Sequence, residues 1–216
     1  MKIKGVIFDA DGTLLDSMGF WSSTVYDMLA RFGISPDNEL LKIINPMSMY
    51  EGAVYLKNRY SLSFSPEEFI EEENRIVEQF YTNKVKLKPG IAELLDMLSR
   101  KNIPLAVASA TDRYLIEKAL RTNGIHEHFK AVVSCSDVGE GKNSPKVYNK
   151  AREYLGTEIC ETAVVEDSPN ALITAGNAGY LTVGVYDKEH LLSDYSGLYD
   201  LWFPNKIDYR TIETYV

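Results

Sequence analysis

The sequence predicts an α/β protein in which a parallel β-sheet core is interrupted, after its first strand, by an all-helical cap. Short apolar runs alternate with helical patterns over residues 84–216, as in parallel sheets with crossover helices. Residues 16–83 carry helical patterns only. An early apolar strand has no partner nearby in the sequence, so we expect it to join the later sheet. We therefore place the core at residues 1–15 and 84–216 and the cap at residues 16–83.

The first strand is the apolar run GVIF at residues 5–8, which ends abruptly at an acidic turn, DADG. Four helices are then predicted over residues 17–32, 36–44, 49–60 and 66–81. The start of the fourth is well marked, because Ser65 is a good capping residue and Pro66 suits the first helical position. This succession of helices without a strand predicts the inserted cap.

The second half of the chain alternates between strands and helices. Strands are predicted over residues 103–108, 131–134, 163–165 and 181–185. Helices are predicted over residues 89–100, 112–123, 145–155 and 169–178. Each strand is separated from the next by a helix, which is the connection that parallel strands require.

The composition excludes several classes of protein. The 216 residues are 45% hydrophobic and 25% charged, as in ordinary globular proteins and unlike disordered or fibrous chains. The formal net charge of −8 makes nucleic acid and anionic membranes poor partners. Cys135 and Cys160 form neither a disulfide framework nor a zinc spacing. With no signal-peptide pattern and no apolar run near 20 residues, we expect a cytoplasmic location.

Two carboxylates follow the first strand. Asp9 and Asp11 are two residues apart, so in an extended chain they point to the same side. Ligands of open α/β sheets bind at the carboxyl ends of the strands, and two adjacent carboxylates need a proton or a cation. Taken alone, the pair also fits a solvated acidic turn. A calcium loop is excluded because Leu14 and Phe20 occupy the positions that need glycine and glutamate.

Four motifs extend this observation. Residues 9–17, DADGTLLDS, resemble motif I of the haloacid dehalogenase superfamily of phosphotransferases. The run VASAT at 107–111 is similar to motif II, GKNSP at 141–145 to motif III, and VEDSPNA at 165–171 to motif IV. One such motif is weak, but four in order over nearly the whole chain are specific. The resemblance implies a Rossmann-like core, and the helical C1-type cap is similar to that of the β-phosphoglucomutase-like phosphatase branch.

The resemblance also implies roles for individual residues. Asp9 would be the nucleophile that forms an aspartyl-phosphate, and Asp11 would be the general acid and base. Lys142 would neutralise charge on the phosphoryl oxygens, while Ser109 and the amide of Ala110 would bind them. Taken singly, Ser109 also fits a helix cap and Lys142 a solvated loop lysine.

A metal site is implied by the same motifs. Asp9, Asp167 and the main-chain carbonyl of Asp11 would hold Mg²⁺, which prefers hard oxygen ligands. Glu166 is a weaker candidate that would act through a metal-bound water.

These residues predict a hydrolase, namely a Mg²⁺-dependent phosphatase for a small phosphorylated metabolite such as a sugar phosphate. The alternative is a β-phosphoglucomutase-type sugar phosphomutase. Against the mutase, Trp21 stands where family members often carry a histidine. Lys57 and Arg59 are cationic cap residues for which a solvated helix face is favoured over binding a second anionic group. We expect no nucleic-acid or membrane partner, and a monomer or weak dimer.

Overall fold

A computed structural model describes residues 2–37, 39–188 and 197–216. Within these residues it contains one six-stranded parallel sheet with the strand order β3-β2-β1-β4-β5-β6. The strands are β1 Gly5–Phe8, β2 Leu105–Ser109, β3 Phe129–Ser134, β4 Thr162–Glu166, β5 Leu181–Val185 and β6 Leu201–Phe203. The order of the strands reverses at β1, and such a switch point is where open α/β sheets bind ligands.

The helices separate the strands along the chain. They are α1 Met18–Ala30, α2 Leu40–Ile44, α3 Met49–Tyr60, α4 Pro66–Asn83, α5 Ile91–Arg100, α6 Arg113–Thr122, α7 Cys135–Val138, α8 Lys146–Leu155, α9 Pro169–Asn177 and α10 Tyr209–Glu213. Two short 3₁₀ helices, His126–His128 and Ile159–Glu161, precede β3 and β4. None of the described helices is both long and apolar enough to cross a membrane.

Strand β1 is the centre of the sheet and is buried on both faces. It pairs with β2 through Val6 and Leu105, and with β4 through Gly5 and Thr162. Val6 and Phe8 belong to one apolar core and Ile7 to another, because successive side chains of a strand point to opposite faces. This two-sided burial explains why β1 reads as a continuous apolar run.

Helices α1 to α4 form an insert between β1 and β2, here called the helical insert. It has an apolar cluster of its own, formed by Val25, Met28, Leu29, Leu40, Ala53, Leu56, Leu62 and Phe69. The C-terminal half of α4 packs instead against the core of the sheet, through Val77 and Tyr81. These observations support the predicted core and cap, although the boundaries given above stay a prediction.

The predicted and observed elements differ in places. Helix α2 begins at Leu40 rather than at residue 36, because Asp37 accepts a hydrogen bond from the Glu39 amide at 3.0 Å and so holds a local turn. The capping role of Ser65 is confirmed, since its side chain and Glu68 form a reciprocal capping box. Strand β6 and helix α10 were not predicted, because elements of three and five residues are too short to show a period.

Candidate active site

The carboxyl ends of β1, β2 and β4 meet beneath the helical insert and enclose a cavity of about 120 Å³. The motif residues form its floor on the sheet side, and the insert forms its walls. All the residues predicted for the site line this cavity, namely Asp9, Asp11, Ser109, Ala110, Lys142, Glu166 and Asp167. The geometry therefore brings together the residues that the four motifs single out.

Lys142 is the cation of this floor and is only 4% exposed. Its ammonium group donates to Asp9 Oδ1 and to Glu166 Oε1. Burial alone would lower the pKa of Lys142, but the charges of Asp9 and Glu166 outweigh it and raise that pKa well above its usual value. Lys142 is thus a buried, protonated residue of the site and not a solvated loop lysine.

Glu166 is held on all sides by protein donors. Its Oε1 accepts from the Tyr148 hydroxyl at 3.1 Å as well as from Lys142. Its Oε2 accepts from the backbone amides of Asp167 and Ser168 at 3.1 and 3.2 Å. Because both oxygens are occupied in this way, the geometry favours Glu166 as the residue that orients Lys142.

A group of buried carboxylates lies beside the lysine. Asp9, Glu166 and Asp167 each place one carboxylate oxygen within 4.8 Å of the others. The second oxygen of Asp9, Oδ2, is buried and has no hydrogen-bond partner among the described residues. Burial, followed by the charge of Glu166, raises the pKa of Asp9 well above its usual range. One lysine does not balance three carboxylates. Since both oxygens of Glu166 already accept hydrogen bonds, Asp9 and Asp167 are the carboxylates that fit a divalent cation.

The acidic turn packs directly on Asp167. The hydroxyl of Thr13 donates to Asp167 Oδ1 at 3.3 Å. Gly12 has φ +90°, and a Cβ at this position would lie 2.1 Å from Asp167 Oδ2. Glycine is therefore required here both by the backbone conformation and by the approach of the carboxylate.

Asp11 is oriented by three hydroxyl groups. Its Oδ1 accepts from Ser17 at 2.6 Å and from the hydroxyl of Tyr81, and its Oδ2 accepts from Thr111 at 2.9 Å. The indole N–H of Trp21 donates to the Tyr81 oxygen at 3.1 Å. Burial, followed by the charge of Asp11, raises the pKa of Tyr81 well above its usual value. The insert therefore contacts the predicted acid directly.

Sequence reasoning did not assign roles to these partners of Asp11. Ser17 and Thr111 belong to motifs I and II, so their positions in the sequence already indicated that they lie near the site. No sequence signal linked Tyr81 to the site, because it is 70 residues away from Asp11 in the chain. Trp21 lines the cavity and also packs against the core of the sheet.

The remaining cap residues singled out from the sequence lie elsewhere. Lys57 donates to the carbonyl of Phe64 at 2.8 Å, and Arg59 donates to Asp37 at 2.8 Å. Neither Lys57 nor Arg59 lines the cavity. These contacts favour the interpretation as a solvated helix face.

Two residues predicted to bind phosphate line the floor at the carboxyl end of β2. Ser109 is 1% exposed, and its Oγ accepts from the amide of Thr111 at 3.1 Å. Ala110 follows it at the cavity surface. The roles of Ser109 and Ala110 toward a phosphoryl group stay predictions.

Comparison with known proteins identifies the family. The sequence pattern of the haloacid dehalogenase-like hydrolases matches residues 6–185. The chain belongs to this family. The phosphorylated carbohydrates phosphatase of Thermotoga maritima is 26% identical over 192 residues, which cover 89% of this chain and 88% of that protein. The (DL)-glycerol-3-phosphatase 2 of Arabidopsis thaliana is 30% identical over 194 residues, which cover 86% of this chain and 80% of that protein.

The fold of this haloacid dehalogenase-like hydrolase also matches solved structures. The β-phosphoglucomutase of Clostridium difficile superposes with a TM-score of 0.83 over 98% of this chain and 96% of that one, at 20% identity. The predicted α/β fold with an inserted helical cap is thereby confirmed. The predicted enzyme class, a phosphatase-type hydrolase of this family, is confirmed as well.

Proposed function

We propose that this protein is a Mg²⁺-dependent phosphatase that hydrolyses a small phosphate monoester through an aspartyl-phosphate. The observation that carries the proposal is Asp9, a buried carboxylate with one oxygen held by Lys142 and the other without a partner in the described structure. It lies in a cavity that Asp11 also lines. The relatives named above, which are phosphatases of carbohydrate and glycerol phosphates, support a small ester as substrate.

In the first half-reaction, Oδ2 of Asp9 attacks phosphorus while the ester oxygen leaves. Asp11 gives its proton to the departing alcohol, so that an aspartyl-phosphate and a neutral alcohol are formed. In the second half-reaction, Asp11 takes a proton from water, and the water oxygen attacks the same phosphorus. Inorganic phosphate leaves and the Asp9 carboxylate is restored.

The charge of the transferring group is balanced by groups at the cavity floor. Lys142 and the amide of Ala110 would stabilise the phosphoryl oxygens, with the Ser109 hydroxyl as a further donor. Asp9, Asp167 and the carbonyl of Asp11 would hold Mg²⁺, which supplies positive charge for the approach of a dianionic ester.

Trp21 supports hydrolysis rather than phosphate transfer between two positions of a sugar. The indole offers only an N–H, which Tyr81 already accepts, and it has no site for a proton. No histidine occurs between residues 16 and 83, so the insert holds no imidazole that could switch between acid and base.

The test is phosphate release from a panel of phosphorylated metabolites by the wild type and by Asp9→Asn. We expect the variant to be inactive and folded, because the amide has the same shape but cannot form the acyl phosphate. Asp96→Asn, at an exposed position of α5, is the matched control and should keep full activity. Substantial turnover by Asp9→Asn would exclude this nucleophile. With β-glucose 1-phosphate, isomerisation at ten times the rate of phosphate release or more would favour the mutase.

A further inference from the structure

Glu73 is a buried acidic residue that the proposed chemistry does not use. It lies on α4, one turn after Phe69, and its side chain is part of the wall of the active-site cavity. Only 6% of the residue is exposed. Among the described residues, no hydrogen bond or ion pair involves its carboxyl group, which is open to the cavity instead.

No basic side chain in the described part of the chain forms an ion pair with Glu73. The charge that acts on its carboxyl group is that of Asp112, which accepts hydrogen bonds from Asn74 at 3.2 Å and from Ser136 at 2.7 Å. Burial, followed by the charge of Asp112, raises the pKa of Glu73 to about 8. An ionised carboxyl group in such a position is unfavourable unless a ligand supplies a positive charge or a hydrogen bond to it.

The wall that the insert contributes is mostly apolar. The insert lines the cavity with apolar side chains that include Trp21, Val25, Leu41, Ile44, Leu56 and Phe69. Its polar lining residues among those described are Asn45 and Ser48, and Glu73 is the only ionisable one. A water molecule occupies roughly 10–15 Å³ of such a cavity, so the space holds on the order of ten water-sized groups. The cavity therefore fits a small substrate whose part beyond the phosphate is compact and carries a polar group at one end.

We propose that Glu73 is the specificity residue of this enzyme and binds a protonated amine at the far end of a phosphate ester whose body is otherwise apolar. The inference rests on the proposed function, since the phosphate end of the ester would lie on Asp9 and Lys142.

An amine fits this site better than the hydroxyl groups of a polyol. An ammonium group neutralises the carboxylate and forms a charge-assisted hydrogen bond, which is roughly twice as strong as a neutral one. The aromatic side chains of Trp21 and Phe69 also tolerate a nearby cation. A polyol, in contrast, would place several hydroxyl groups against a wall whose described polar side chains, besides Glu73, are Asn45 and Ser48, and the Ser48 hydroxyl already donates to Glu51 at 2.9 Å. Most of these hydroxyl groups would lose their water without gaining a partner.

The experiment compares matched esters. We would measure kcat/KM for a series from aminoethyl to aminopentyl phosphate, each paired with the alkyl phosphate that has a methyl group in place of the ammonium. Glucitol 6-phosphate represents the polyol esters. p-Nitrophenyl phosphate measures the phosphatase activity independently of an amine. At the best chain length we expect the amino ester to exceed its alkyl partner by about tenfold or more.

The variant Glu73→Gln should remove this preference. We expect kcat/KM for the best amino ester to fall by about 10- to 100-fold, mainly through KM, and to change by less than about threefold for its alkyl partner. Glu71→Gln, two residues earlier on the exposed face of α4, is the control and should leave both values unchanged.

The possible outcomes separate this inference from the proposed function. If no ester is hydrolysed, p-nitrophenyl phosphate included, the phosphatase proposal itself fails. If the esters are hydrolysed but the wild type shows no amine preference, or prefers glucitol 6-phosphate, only the role of Glu73 is excluded. If Glu73→Gln lowers kcat/KM equally for the amino ester and for its alkyl partner, Glu73 has a structural role and does not bind the amine.

Discussion

Replacing Glu73 by glutamine should stabilise the protein, and the gain should grow with pH. The carboxyl group has a pKa of about 8 in the folded protein, against a usual value of 4.5. Below pH 4.5 it is protonated whether the chain is folded or unfolded, so burial has little effect on stability. As the pH rises toward 8, the unfolded chain loses this proton while the folded protein keeps it, and the free energy of unfolding falls.

The size of the effect follows from the two pKa values. At about 1.36 kcal/mol for each pKa unit, the difference corresponds to on the order of 5 kcal/mol above pH 8 and about 3 kcal/mol at pH 7. Glutamine has the same shape and stays neutral, so it escapes this loss. Few single substitutions change stability by as much, which makes the effect easy to detect.

The assay is urea unfolding of the wild type and Glu73→Gln at several pH values from acidic to mildly alkaline. The difference in the free energy of unfolding should rise with pH, whereas Glu71→Gln should show no such trend. A difference that is the same at both ends of the range, or a variant that is less stable throughout, would refute the reasoning about the buried carboxyl group.

Two further predictions concern the metal and the acid. EDTA should abolish activity and Mg²⁺ should restore it. The variant Asp167→Asn should need a higher Mg²⁺ concentration to reach its half-maximal rate. Full activity in rigorously metal-free buffer would exclude the metal site. Asp11→Asn should slow the first half-reaction, formation of the aspartyl-phosphate, by about 10²–10⁴-fold for alkyl phosphates and less for p-nitrophenyl phosphate, because p-nitrophenolate leaves without a proton. Tyr81→Phe should show the same dependence on the leaving group at about a tenfold loss, measured against Tyr114→Phe at an exposed position. Equal losses of the first half-reaction for both esters would contradict the assignment of Asp11 as the acid.

The sequence predicted much of the floor of the site because several residues there stand at the end of a short apolar strand. Asp9 follows β1 and Asp167 follows β4, and parallel strands place such positions at one edge of the sheet. Lys142 was predicted from its motif alone. That it is buried between two carboxylates depends on the folding of three separate segments.

The walls of the site could not be predicted in the same way. Phe69, Glu73, Val77 and Tyr81 are spaced by four residues and so share one face of α4. Glu73 follows two further glutamates, Glu71 and Glu72, and the available signal was its place within an apolar stripe. Nothing local indicated that Tyr81 would reach Asp11, since that contact requires the insert to be docked on the core.

The central position of β1 has a consequence for how the chain folds during synthesis. This strand is made first, but its partner on one side begins at Leu105 and its partner on the other at Thr162. At ribosomal speeds of roughly 5–20 residues per second, β1 waits on the order of ten to thirty seconds before both neighbours exist. The apolar cluster of the helical insert can begin to form during that delay, because its members are close in the sequence. Until β4 has been synthesised, the four apolar residues of β1 remain available to chaperones and to other nascent chains.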